Sequence, residues 1–429
     1  GTYMADILKI TPLEPWIDEK TAFISGSRLT ENALRQYQET AFWANFFRAK
    51  RLSPFYKKLY TDIDLTACNG FTNIEKLPLI NEHDLRKFDK QMLCVGQDEI
   101  HRIVTLASSG TTGEAKRVYF TESDQELTVD FFANGMQTFT KYGDKVLILL
   151  PSATPGCVGD LLATALRRFG ACPLPYGIVD GCEKLLSFMS AEQPQVVVAN
   201  PVQMLLLAYY YKSKLEKSAV KINLNAILLS TDYVAASLVK KLESIFNCLV
   251  YEHYGMTEMG LGGGVSCKAG EGYHLREADM LFEVVNPQTG KNVSVGEYGE
   301  IVFTTLTRKA MPFIRYATGD RGRFLPGPCA CGTVLRRLDK VKGRLNDPVD
   351  IGTLDEIIFA YDGVVNYSGS FDGENLKLVL NIFDEIFKVD LSKITANLPY
   401  KAELKAEYGI KPFMNRLVKR QIKSKECLQ

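Results

Sequence analysis

The chain is expected to fold as an α/β protein. A large N-terminal domain of mixed and parallel sheets flanked by helices should be followed by a small α+β C-terminal domain. Three observations predict this. Between Gly143 and Gly255 short apolar runs alternate with amphipathic segments, the pattern of parallel strands joined by crossover helices. After Gly299 the chain turns β-rich, and from Gly343 it reads helix, strand, strand, helix, strand. Its 429 residues exceed what one hydrophobic core usually supports. The boundary is placed so that the domains span residues 1–342 and 343–429.

The elements follow in chain order. The segment to about Tyr60 is rich in helix formers, and its aromatic stripe from Ala41 to Phe47 reads as packing. Val146 to Leu150, Val196 to Ala199, Ala226 to Ser230 and Leu249 to Glu252 read as buried strands, with helical spacing over Asp160 to Phe169, Val202 to Leu215 and Ala235 to Phe246. In such sheets ligands bind beyond the carboxyl ends of the strands, which draws attention to Pro151-Ser152-Ala153, Asn200-Pro201, Ser230-Thr231-Asp232 and the run His253 to Glu258. Glu300 to Leu306 alternates as a strand, Arg315 to Asp320 follows, and a Pro/Gly/Cys-rich turn comes next. The C-terminal elements start at Leu354 (helix), Val364 and Leu376 (strands), Leu391 (helix) and Ala402 (strand).

Composition narrows the function classes. An apolar content of 46% is ordinary for a globular enzyme, and a net charge of +1 supplies no field to hold nucleic acid or an anionic membrane. No apolar run is long enough to span a bilayer, and the first residues lack the pattern of a secretion signal, so a cytoplasmic protein is expected. Most of the ten cysteines are scattered singly among apolar residues and read as reduced thiols.

The most informative stretch runs from Thr105 to Lys116. Ser108, Ser109, Gly110, Thr111, Thr112 and Gly113 offer hydroxyl donors and a backbone able to approach a polyanion closely, and Lys116 adds a cation. The spacing is not that of the Walker loop, because Lys116 is followed by Arg117 rather than Ser or Thr. An exposed turn joining two strands is the structural alternative. A second signal is Cys267 and His274 followed by Cys329 and Cys331. Three thiols and one imidazole complete a tetrahedral set for a structural zinc ion, with free buried thiols or a redox pair at Cys329 and Cys331 as alternatives.

Four segments in order then carry a resemblance: the loop ending in Lys116, Tyr254-Gly255-Met256-Thr257-Glu258, Tyr316-Ala317-Thr318-Gly319-Asp320, and Arg337 to Arg344. Together they resemble the adenylate-forming superfamily of acyl-CoA synthetases, and within it the phenylacetate-CoA ligase-like branch. The resemblance implies an AMP-forming ligase that activates a carboxylic acid, aromatic or otherwise apolar, with ATP and Mg²⁺ and passes the acyl group to coenzyme A. It implies that residues 108–113 cradle phosphates, Tyr254 stacks on adenine within the Tyr254-Gly255-Met256 turn, Thr257 meets the α-phosphate and Glu258 holds Mg²⁺. Asp320 would accept the ribose hydroxyls, Arg344 would complete the nucleotide site, and Lys116 would stand by as a positive charge. Lys411 is the nearest candidate for the C-terminal lysine that assists adenylation. The chain departs from the family in four places: Ala115 where proline is frequent, Ser230-Thr231-Asp232 in place of a Gly/Ala-rich motif, no clean match to the C-terminal Gly-Lys motif in Gly409 to Arg416, and a segment after Arg344 several residues shorter. The shortened segment keeps open an adenylate-former with another acceptor (a carrier protein, an amine or a cofactor hydroxyl), and the unmatched C-terminal lysine motif keeps open a nucleotide-binding protein without turnover.

Overall fold

The computed structural model describes residues 9–21, 28–107, 114–218, 220–231, 233–409 and 422–424. The chain divides into two compact units, each built from two stretches: residues 1–138 with 254–341, and residues 139–253 with 342–429.

The first unit starts with helices Leu13–Thr21 and Glu31–Leu52. The Thr30 hydroxyl caps the second of these by accepting from the Ala33 N–H, a contact worth about 1 kcal/mol. The aromatic stripe is packing, as its spacing predicts: Phe42, Trp43 and Phe46 are buried in a core with Phe282, Ile301 and Phe303. Phe47 is the exception and faces outward. An antiparallel hairpin pairs Arg102–Leu106 with Lys116–Phe120, setting Leu106 opposite Lys116. A three-stranded antiparallel sheet orders Met280–Val285, Gly299–Thr305 and Tyr316–Gly322. Gly299–Thr305 is buried along its whole length, although its sequence alternates. Its inward polar groups are engaged, since Thr304 Oγ1 accepts from Arg315 N–H and Thr305 Oγ1 from Phe313 N–H. Short antiparallel pairings of Tyr273–Leu275 with Gly264–Val265 and with Arg337–Leu338 complete the unit.

The second unit is built on a parallel sheet in the order Cys172–Pro175, Lys145–Ile148, Val196–Ala199, Ala226–Leu229, Leu249–Tyr254. Its central strands are wholly apolar and wholly buried, as strands covered on both faces must be. Asn200 caps helix Pro201–Leu215 by accepting from Val202 N–H, and Pro201 fills the first helical position, where no N–H is needed. Helix Ala236–Phe246 stops where Asn247 turns left-handed at φ 51°. The strand Cys172–Pro175 and the helix Cys182–Glu192 were not expected from the sequence.

Residues 351–408 add helix Ile351–Ile358, strands Val364–Phe371 and Asn375–Ile382, helix Leu391–Asn397 and strand Lys401–Tyr408. The last strand runs parallel to Asn375–Ile382, so the intervening helix is the crossover that parallel pairing demands. Leu354, Ile358, Phe359 and Tyr367 belong to the same apolar cluster as Leu205, Leu238 and Leu242 of the parallel-sheet helices.

Candidate nucleotide and metal sites

Strand Leu249–Tyr254 ends in a turn that carries the first candidate residues. Gly263 N–H donates to the Tyr254 carbonyl (2.8 Å) and Leu261 N–H to the Met256 carbonyl (2.9 Å), which folds the chain tightly around Thr257–Met259. Glu258 is thereby buried, while Gly255, Met256 and Thr257 are half-buried. Glu258 is held at its carboxylate by two groups and at its backbone carbonyl by a third. Lys116 Nζ lies 3.6 Å from its Oε2, Tyr316 donates to the same oxygen at 3.2 Å, and Arg308 binds the Glu258 carbonyl at 2.5 Å. Lys116 also reaches Glu82 at 3.5 Å. Residues of three expected segments thus meet at one carboxylate. Sequence reading missed Glu82 and Arg308. Neither lies in a quoted motif, and their proximity arises only from folding.

Asp320 is almost fully buried in strand Tyr316–Gly322. Its Oδ2 accepts the Tyr254 hydroxyl at 2.8 Å, and its backbone N–H donates to Thr318 Oγ1. Burial, reinforced by the Asp320 carboxylate, holds the Tyr254 phenol well above its ordinary pKa, so it stays a donor. The Tyr254 ring lies 5.7 Å from that of Tyr273 at 28° and is 6% exposed. Arg344 lies in the second unit, with its N–H on Asp347 Oδ2 at 2.9 Å. Ser108, Ser109, Gly110, Thr111, Thr112, Gly113 and Lys411 lie outside the described residues.

Strand Tyr316–Gly322 is fixed at its start by Arg315. This side chain is fully buried, clasps Glu283 through Nε–Oε2 (3.1 Å) and Nη2–Oε1 (3.0 Å), and donates to the carbonyls of Leu77 and Gly290. Its backbone sits at φ 53°, a region that costs any residue with a Cβ energy unless the surroundings enforce it.

Cys267, His274, Cys329 and Cys331 converge, their ligand atoms all within 4.8 Å of one another and all four residues buried. Cys267 Sγ and Cys329 Sγ are 3.6 Å apart, and Cys331 Sγ is 3.7 Å from His274 Nε2. Ligands about 2.3 Å (sulfur) and 2.0 Å (nitrogen) from a central zinc ion would be separated by roughly 3.5–3.8 Å at tetrahedral angles, so these two separations fit that ion. The donor set is too open for a disulfide, whose sulfurs lie about 2.05 Å apart. Backbone N–H groups of Ala269 and Cys331 point at the Cys267 and Cys329 sulfurs, as they do toward thiolates. The hydrogen bond from Cys267 holds the Cys331 thiol below its ordinary value against the cost of burial, and raises Cys267 in turn. The cluster is tied to the Asp320 side of the unit, because His274 follows Tyr273, whose ring packs on Tyr254.

This fold and these motifs define a class. Residues 78–307 match the family model of AMP-binding enzymes, and the chain belongs to that family. Within the adenylate-forming superfamily it falls in the phenylacetate-CoA ligase-like branch. It is 27% identical over 370 residues to the phenylacetate-coenzyme A ligase of Thermus thermophilus, covering 79% of this chain and 80% of that protein. It is 26% identical over 391 residues to that of Escherichia coli, covering 87% and 85%. In three dimensions it is similar to 2-hydroxyisobutyryl-CoA ligase in the postadenylation state, with a TM-score of 0.78, 17% identity and coverage of 95% of this chain and 92% of that one. That likeness concerns the fold. Among the described residues no helix is long and apolar enough to cross a membrane.

Proposed function

We propose that this protein is an ATP-dependent carboxylic acid–CoA ligase that works through an acyl-adenylate. The observation that carries the reading is the convergence of Lys116, Glu258 and Tyr316 on one carboxylate, with Tyr254 and Asp320 joined beside them in a chain of the AMP-binding family. An acid that attacks the α-phosphate needs charged oxygens held in line and neutralised, which is positioning and electrostatics rather than covalent catalysis by the protein. Residues 108–113 and Lys116 would hold the leaving phosphates, and Thr257 the α-phosphate. Asp320 would accept the ribose hydroxyls, keeping Tyr254 as its buried partner, and the Tyr254 ring would flank the adenine. Arg344 would complete the nucleotide contacts, and Lys411 would assist adenylation. A single hard carboxylate beside phosphates suits Mg²⁺, so Glu258 would hold that ion, which supplies charge neutralisation when bound.

The acid is proposed to be aromatic or otherwise apolar, and the protein to act in the cytoplasm on small molecules. Cys267, His274, Cys329 and Cys331 are proposed to bind one structural zinc ion. Residues 343–429 are proposed to move as a module between adenylation and thioester formation, as conformational steps do in many ligases. The test is acid-dependent ATP–pyrophosphate exchange. Glu258→Gln and Asp320→Ala should each lower it by orders of magnitude, and unchanged exchange in both would overturn the site. Adding coenzyme A with thioester detection distinguishes the alternative of another acceptor. The short link between Arg344 and helix Ile351–Ile358 favours that alternative.

A further inference from the structure

The second unit contains a groove of about 480 Å³ that the proposed adenylation residues do not enter. Its volume falls within the roughly 300–1,000 Å³ of small-molecule pockets. Helix Pro201–Leu215 contributes Tyr209 and Lys212, helix Ala236–Phe246 contributes Ser237, Lys240, Lys241 and Ser244, and the later segment contributes Glu356 and Asp362. Lys212 and Lys240 are exposed and Lys241 is half-buried, and among the described residues none of the three is ion-paired with a carboxylate. Lys241 instead donates to the Tyr361 carbonyl at 2.7 Å and lies 5.6 Å from the centre of the Tyr209 ring. The two acids in the wall are each committed through one oxygen. Asp362 Oδ1 accepts the Tyr209 hydroxyl at 2.7 Å, and Glu356 Oε1 accepts Ala236 N–H at 2.7 Å.

Lys212 and Lys240, with the Ser244 hydroxyl, form a donor surface beside Lys241, whose charge Asp362 partly offsets, and Ser237, whose hydroxyl donates to the Glu356 carbonyl at 3.4 Å; exposed ammonium donors of this kind suit a phosphate group. The remaining carboxylate oxygens on the facing wall are acceptors that suit hydroxyl donors. Burial depresses Lys241 to about 8, so its charge is held there at a cost that an anion would offset. We propose that this groove is a second nucleoside-phosphate site, built from residues other than those of adenylation. Lys212, Lys240 and Lys241 hold the phosphate, and Asp362 and Glu356 accept the sugar hydroxyls. Such a ligand bridges the two helices to the segment Glu356–Asp362, so its occupancy strengthens the seating of the later segment on the parallel-sheet helices.

The probe is AMP, with stoichiometry measured by equilibrium dialysis on the full chain. Wild type should bind two AMP per chain. The double variant Lys212→Ala, Lys240→Ala, which changes only exposed side chains, should bind one and keep ATP–pyrophosphate exchange within about twofold of wild type. Asp320→Ala should lose exchange yet retain the lysine-dependent AMP, which separates failure of this inference from failure of the proposed activity. A single AMP per wild-type chain, or two retained in the lysine variant, would overturn the groove as a nucleotide site.

Discussion

At Glu258 the carboxylate faces Lys116, which Glu82 shares, while Arg308 holds the backbone carbonyl, so the partners are not equivalent when removed. Deleting Lys116 removes the ammonium that faces this buried acid and, in its proposed role, positive charge beside the leaving phosphates. Lys116→Ala is therefore expected to cut pyrophosphate exchange by at least tenfold, and ATP-dependence curves would show whether the loss lies in affinity or in turnover. Arg315 is a structural counterpart, since it satisfies Glu283 and several carbonyls at once. Breaking a buried pair from one side costs about 3–5 kcal/mol, so Arg315→Ala should lower the denaturation midpoint markedly in urea. Lys241 makes a prediction in pH. Its folded pKa of about 8 lies below the unfolded value near 10.5, so between these the unfolded chain binds more protons and stability rises with pH. The rise between pH 8 and 10 should be smaller in Lys241→Met, as read from thermal midpoints.

At the scale of elements, the strand Tyr273–Leu275 and the turn carrying Cys329 and Cys331 are too short to hold themselves in place by backbone pairing alone. A bound ion would join them. Purified protein is expected to contain about one zinc per chain, and Cys331→Ser to lose it, with a lower melting temperature and weaker AMP binding through the Tyr273–Tyr254 contact. Absence of zinc in wild type by elemental analysis would remove that expectation. The grouping of Cys267, His274, Cys329 and Cys331 was legible in the sequence because cysteine and histidine carry distinct chemistry. The central strands were legible because Val196–Ala199 and Ala226–Leu229 are uninterrupted apolar runs. Cys172–Pro175 was not, because two prolines and an exposed edge erase the strand signal. The short helix Cys182–Glu192 starts without a side-chain cap to announce it. Arg308 and Glu82 were invisible for a different reason, since a residue that reaches a site from elsewhere in the fold leaves no local pattern.

On the scale of the whole molecule, both units are assembled from discontinuous chain. Residues 1–138 expressed alone should lack cooperative unfolding and near-ultraviolet dichroism, because their apolar stripe packs on strands that lie beyond residue 254. The contacts that close the first unit are long: Gln38 donates to the Glu277 carbonyl across 239 positions, Tyr56 to that of Pro312 across 256, and Asn45 to that of Thr305 across 260. During synthesis, helix Glu31–Leu52 therefore leaves the ribosome long before any of these partners has been made. Its aromatic face must wait while an entire parallel sheet is translated, which makes the nascent polypeptide a natural client for a chaperone that shields apolar helices.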